Sequence, residues 1–510
     1  MHLHTAGAPL SLAQHDLVIR GRIEGSGTRT TFAWRFGGGG RFLRETTGIQ
    51  GQRFGCDGVE VWLHDVAGRS RVLELGEDHS ARLLSAALSG QWLAPPNDLT
   101  VNDAPETGEG ARCLALALGH RRARLEIDRE TGDLRELELM LAFRRDRWTL
   151  RDHLTQSGIR YPRTLVRQGP GGPTETFVVE DTVLAPPLPA SDYRRPAGGE
   201  RTRFDPSIPA ELRVERAPNG FLLVHPRIDG REAGAFVFDT GAGGTVIAPQ
   251  LADRLGLARA GDGWLGMAAG PAAAGIRTAG SLALGPLTIE QPVFSEMDCG
   301  PLSQHAQVEL SGIIGYDVLA RVVVELELER LRIALFDPAT FELPGASWQR
   351  VAIAGAHPYV EGSLEGHPGW LRLDTGAPQV AVVLSGPTVE RFQLLEGRTV
   401  ERGRATLPGG DMDIALGSVA DVIIGGHRFE PLSALFPLES GGAFDDPYSL
   451  GNLGQDCLKP FRAVFDYRHR RIALIERIQG AATGSGPDRA HSAGWRGRPP
   501  QRTFAPARGA

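Results

Sequence analysis

Lysine is almost missing from this chain: Lys459 is the only one among 55 basic residues, and the rest are arginine. We read this as a bias of genome composition, not a functional device. Cysteine is scarce too. Cys56, Cys113, Cys299 and Cys457 lie far apart with no C-x-x-C pair, which excludes a zinc ribbon or a dithiol redox motif. An inert buried thiol is expected at each, with a Cys56–Cys113 bridge as the alternative. No apolar run approaches the roughly 18–20 residues of a membrane-spanning helix. There is no excess of one charge: 61 acidic residues against 55 basic give a net charge of -6, so neither nucleic acid nor an anionic membrane is an expected partner. Also missing are H-E-x-x-H, G-x-S-x-G and any Cys–His cluster, so zinc-dependent and nucleophile-based hydrolysis have no carrier. No metal or other cofactor is implied. The first 21 residues lack a basic segment followed by an apolar core, so no export signal is visible.

What is present suits a mainly β protein. The 510 residues include 66 Gly and 35 Pro, favouring many turns and short strands, and the length suggests two to four folded units. Segments of period-two alternation fill the first part: LVIRGRIE (17–24), TTFAWRF (30–36), VEVWLHD (59–65), RARLEID (122–128) and LRELELMLAF (134–143). They predict an antiparallel sheet with one buried face, and DHSARLLSAALSGQWL (78–93) has the helical spacing of a cover for it. From 184 to 212 Pro, Gly and charge dominate, which predicts a linker. The Gly-, Pro- and Arg-rich tail beyond 478 is expected to be disordered. The expected division is a β-domain over 1–188, a linker over 189–212, two lobes over 213–345 and 346–478, and a tail over 479–510.

The two lobes follow from an internal repeat. FVFDTGAGGTVI (236–247) matches WLRLDTGAPQVAVVL (370–384), with Asp239 on Asp374. Downstream, Gly312, Gly315, Asp317 and RIAL (332–335) match Gly451, Gly454, Asp456 and RIAL (471–474) at a constant offset of 139. Each Asp-Thr-Gly triplet follows an apolar strand, which would place its carboxylate at the rim of a sheet. Gly241 and Gly376 permit a tight turn, and Thr240 and Thr375 offer hydroxyls that could bond the opposing turn. If the copies pack about a pseudo-twofold axis, Asp239 and Asp374 meet and share one proton. One member is then a general base for water and the other an acid. A single such triplet is a common turn; two equivalent ones outweigh that reading.

The stretch FDTGAGGTVI (238–247), with Gly312-Ile313-Ile314-Gly315 as an apolar strand behind it, resembles the retroviral-type (retropepsin-like) aspartic peptidases. More narrowly, the pattern resembles bacterial aspartyl-protease-like proteins with tandem lobes behind an unrelated β-domain. The resemblance implies two fused β-barrel lobes in a pepsin-like pseudo-dimer, acting as a monomer on a polypeptide substrate. Asp239 and Asp374 would be catalytic, with Thr240, Gly241, Thr245, Thr375 and Gly376 supporting the loops. Ile313, Ile314, Gly315, Leu453 and Gly454 would form the strands behind them, and Tyr316–Arg321 a short helix. It also implies substrate-covering hairpins at 261–270, with Trp264 near the cleft, and at 404–411. Two departures stand out. Val380 replaces the hydroxyl that Thr245 supplies, and Asn452 interrupts the apolar pair, so the second lobe is expected to be less well supported. A weakly active or inactive peptide-binding protein is the alternative. His305 and His427 are expected in solvent.

The first domain offers no catalytic constellation. Its pattern, including SGIRYPRTLVRQ (157–168), resembles the lipoprotein-carrier β-domains of the LolA and LolB type, a curved half-barrel whose apolar face would take a lipid, a peptide or a neighbouring domain. A structural or regulatory module is the expectation, with carriage of a lipid or acyl chain as the alternative. Domains of that type carry a helix before the first strand, and here TAGAPL (5–10) resembles the loop after it. As it stands the chain reads as cytoplasmic; an export signal upstream would make it periplasmic or secreted.

Overall fold

The computed structural model describes residues 4–476, apart from 6–7, 10–11, 13, 26–29, 50, 66–67, 107–109, 141–144, 170–173, 199–200, 268–269, 408–409, 440–441 and 447–448. The tail predicted for 479–510 lies outside the described residues. Strands hold 51% of the described residues and helices 13%, so the protein is mainly β as composition predicted. The expected barrels are not closed. Among the described residues no sheet's strand order returns to its own first strand, and the repeated region is built of open, twisted sheets.

The first part forms one 13-stranded antiparallel sheet running from Ser70–Val72 at one edge to Thr100–Asp103 at the other. Its middle is sealed by the chain's return: Asp16–Glu24 pairs with Thr174–Ala185, so the first and last long strands are neighbours. The alternation in sequence appears as alternation in burial, and the helix Glu77–Ser89 lays Leu83, Ala87 and Leu88 on the apolar face. Trp34, Trp148 and Phe177 pack on one another there, with ring centroids 5.2–6.3 Å apart. They belong to the apolar core of this sheet, and a cavity beside the helix, lined by Arg82, Ala86 and Leu118 among others, holds about 10 Å³. Cys56, Cys113, Cys299 and Cys457 are all buried and none is in a disulfide, so the Cys56–Cys113 bridge is not made.

The Pro- and Gly-rich stretch expected as a linker is tied down at both ends. Tyr193 is buried, with its hydroxyl donating to Asp16 Oδ2 (2.6 Å). Thr202–Phe204 adds a strand to Leu287–Glu290. Composition marks where no long element can form; it does not say whether short ones will dock.

In the repeated region the two copies carry the same strand crossings. Phe236–Phe238 runs parallel to Gly312–Ile314, as His367–Leu373 does to Gly451–Leu453. Val246–Ile247 and Val382–Leu384 return antiparallel to the same glycine strands. Each glycine strand is thus clasped between the strand entering a triplet and the strand leaving it. Among the described residues no helix is long and apolar enough to cross a membrane.

Candidate active site

The two triplets face each other, and the strands that dock them occur twice. The Asp239 N–H donates to Ile314 O (3.1 Å) and the Asp374 N–H to Leu453 O (2.9 Å), docking each triplet on its own glycine strand. Further on, Tyr316 N–H donates to Ala242 O (2.9 Å) and Gln455 N–H to Ala377 O (3.0 Å), closing each loop. A Cβ on Gly315 would stand 2.2 Å from Gly244 O, and one on Gly454 2.2 Å from Val380 O. That approach is far inside van der Waals contact, so only glycine lets the loop lie on the strand.

Between the loops the threonines exchange bonds. Thr240 N–H donates to Thr375 Oγ1 and Thr375 N–H to Thr240 Oγ1, both at 3.0 Å. Each hydroxyl in turn donates across the gap, Thr240 to Leu373 O and Thr375 to Phe238 O, both at 2.9 Å. Both threonines are fully enclosed. This brings each carboxyl against the other's glycine: a Cβ on Gly241 would meet Asp374 Oδ1 at 2.3 Å, and one on Gly376 would meet Asp239 Oδ2 at 2.5 Å. Gly241 N–H donates to Asp239 Oδ1 (2.7 Å), Gly376 N–H to Asp374 Oδ1 (2.9 Å), and Gly376 N–H reaches Asp239 Oδ1 as well (3.1 Å). Burial, and then the charge of Asp374, push the Asp239 carboxyl up to about 8. A pair so placed holds one proton through the neutral range.

Support behind the loops differs between copies. Thr245 donates to Asp317 Oδ1 (2.5 Å) and accepts from Gly315 N–H (3.4 Å). Val380 makes no such bond, but the second loop is held by other donors. The fully buried Gln455 side chain donates to Thr375 O (2.8 Å), and Arg216 Nη1 donates to Gln455 Oε1 (3.1 Å). The Asn452 amide donates to Asp374 Oδ2 (2.9 Å) and accepts from Arg372 Nε (2.8 Å). Sequence reading noticed Asn452 as a defect; it is a partner of the carboxylate. Arg372, Gln455 and His357 were missed. His357 sits on the turn between Trp348–Ala354 and His357–Leu364, with Cε1 3.1 Å from where a Cβ on Gly243 would be. Arg372 was visible as the one charge in WLRL, but its partner lies 80 residues away.

The hairpins expected over the cleft exist, Ala258–Met267 with Gly270–Thr278 and Glu401–Leu407 with Gly410–Val419. Residues 268–269 and 408–409 lie outside the described residues. Trp264 is 45% exposed on the first. His305 is exposed, with its ring edge-on to Phe221, and the partly exposed His427 packs on Phe461 and pairs with Glu476.

No curated protein matches the chain by sequence. Among solved structures, similar chains include a LolA superfamily protein from Nitrosomonas europaea, at 11% identity over 36% of this chain and 91% of that one, with a TM-score of 0.28. Another is a retropepsin-like aspartic protease from Rickettsia conorii, at 17% identity over 26% of this chain and 91% of that one, with a TM-score of 0.20. By sequence, residues 224–318, which hold the first triplet, Thr245 and the glycine strand behind them, match the family described as aspartyl protease.

Proposed function

We propose that the chain is an aspartic endopeptidase whose catalytic residues are Asp239 and Asp374. The observation that carries this reading is the reciprocal Thr240–Thr375 exchange, which sets two carboxyls of one chain against each other's glycines. The family match supports the chemistry for the first half, and the repeated bonding supports it for the second.

A two-lobed arrangement within 213–478 is supported by a second pairing. Val323–Glu327 runs antiparallel to Phe461–Asp466, with Glu325 opposite Val464. Those residues are 139 apart, the offset of the repeat. An antiparallel pairing centred on equivalent positions is what a local twofold axis produces. One chain would then supply the whole dyad and act as a monomer.

The reaction proceeds without a covalent intermediate. The ionised carboxylate takes a proton from water as its oxygen attacks the scissile carbonyl carbon, while the protonated carboxyl gives its proton to the carbonyl oxygen. The resulting diol collapses when the amine nitrogen receives the proton from the first carboxyl. The C–N bond breaks, and a diol proton returns to the second carboxyl. The substrate is a polypeptide held extended beneath the two hairpins, whose Gly-rich strands suit opening and closing.

The test is a mixed peptide library incubated across a pH series with wild type, Asp239→Asn and Asp374→Asn. Wild type should cleave, and each variant should lose at least about a thousandfold in rate. Cleavage by neither wild type nor variants, or full activity in either variant, rejects the reading.

A further inference from the structure

We infer that Asn452, oriented by Arg372, fixes the shared proton of the pair on Asp239 and keeps Asp374 as the ionised base. This assignment rests on the peptidase reading and goes beyond it, because the repeat alone makes the two carboxyls equivalent.

The asymmetry begins in the sequence. Ile313 and Asn452 are equivalent positions of the two glycine strands, so the first copy has an apolar side chain where the second has an amide. Asn452 is buried at 5% exposure, as is Arg372. A guanidinium has donors only. Because Arg372 Nε lies 2.8 Å from the Asn452 side chain, the amide oxygen must face Arg372. The NH2 group is therefore turned toward Asp374 Oδ2, 2.9 Å away. Chemistry, not choice of rotamer, sets which end of the amide meets the carboxylate.

The two carboxyls are consequently bonded differently. In Asp374 both oxygens accept: Oδ1 from Gly376 N–H and Oδ2 from the Asn452 amide. In Asp239 the N–H groups of Gly241 and Gly376 both end on Oδ1. Its Oδ2, which lies against Gly376, is left to carry a proton. Donors spread over both oxygens favour the charged form; donors crowded on one leave the other basic.

The surrounding ionisable groups reinforce this. Arg372 lies in the field of both carboxyls and of Asp446. Asp446 accepts from the Tyr359 and Ser449 hydroxyls at 2.7 and 3.0 Å. His357, on the facing turn, is held well below its usual range by burial, then by Arg372 and Arg71, and so adds no charge. Tyr467, which follows Phe461–Asp466, is raised by burial, then by Tyr316 and Asp239, and stays neutral. In the first copy Asp317 is raised by burial and receives the Thr245 hydroxyl. Arg372 is in hydrogen-bonded line with the pair through Asn452, and that line ends on Asp374.

The pH profile of kcat/KM tests the inference. Asn452→Leu makes the second copy resemble the first. It should move the acid limb up by about one pH unit while leaving the alkaline limb in place. Arg372→Met, which frees the amide to turn, should move the same limb, and Arg372→Lys should restore most of it. An unmoved acid limb, or both limbs moving together, overturns the assignment. A readout independent of cleavage uses full-length chain carrying 13C-carboxyl aspartate, with Asp239→Asn and Asp374→Asn spectra identifying the two signals. Asp374 should ionise at lower pH than Asp239. The reverse order rejects the inference even if peptides are cut. The expected order in a protein that cuts nothing rejects the peptidase reading alone.

Discussion

At the scale of single residues, the triplets show how little room the site leaves. Thr240 and Thr375 each use a backbone N–H and a hydroxyl across the gap, so a change at one orphans a buried donor on the other. Gly241 and Gly376 are fixed by approach: the opposite carboxyl occupies the space a methyl group would need. The raised Asp239 carboxyl has a consequence for stability. A folded pKa of about 8, against 3.8 ordinarily, makes the ionised form the costly one. Its contribution is therefore fully present below pH 3.8 and is lost as pH rises through 8. Asp239→Asn stays neutral and avoids the loss. Urea unfolding at pH 4, 6 and 8 should show wild type losing about 2 kcal/mol relative to the variant, allowing for partial solvent access. A difference that stays constant across that range would count against the raised carboxyl.

At the scale of elements, the alternating segments of the first sheet could be read directly. TTFAWRF was expected over 30–36 and is the strand Thr30–Phe36; the helix expected from 78 begins at Glu77. Period-two burial and helical spacing are local properties, and local patterns survive in sequence. The support of the second triplet was misread for the opposite reason. A polar residue in an apolar strand looks like a fault until its partner is known, and Asn452 and Arg372 find each other only across adjacent parallel strands. The short helix Tyr316–Leu319 shows the same limit. Its position was legible, but not that Arg69 of the first sheet reaches it. Arg69 Nη2 donates to the Tyr316 hydroxyl (2.7 Å), and its guanidinium lies 4.4 Å from the ring centroid. Since Tyr316 N–H closes the first triplet loop, Arg69→Ala should cost about 1–3 kcal/mol of stability and also slow peptide cleavage. Arg69→Lys should not rescue it, because an ammonium cannot both stack and bond the hydroxyl. Unchanged cleavage in both variants would show that this contact is only structural.

At the scale of the whole molecule, the first sheet and the repeated region belong to one compact unit, Met1–Glu476. Their seam follows the segment 69–77 and the hairpin Trp348–Leu364, whose His357 borders the first triplet loop. Arg71 donates to Ile353 O (3.0 Å), and Gly355 N–H donates to Glu77 Oε1 (3.1 Å). Leu75 packs beside Ala352, Ala354, Tyr359 and Trp370. Glu74 is the centre of the seam: it pairs with Arg350 and Arg470 and accepts from Ile353 N–H (3.4 Å). Its side chain is 10% exposed while Arg350 and Arg470 are 59% and 40% exposed. The solvated cations limit what the pairing contributes, and the buried acceptor raises what its loss costs. Glu74→Ala should therefore lower stability by about 1–2 kcal/mol. A larger change is expected in cooperativity. With the seam weakened, sheet and lobes have fewer shared contacts that force them to unfold together. In urea, tryptophan fluorescence and circular dichroism should give coincident midpoints for wild type and separated ones for a Glu74→Ala, Arg71→Ala double variant. Coincident midpoints in both proteins would mean that the sheet is held to the lobes elsewhere, and that the hairpin bordering the first triplet loop does not depend on it.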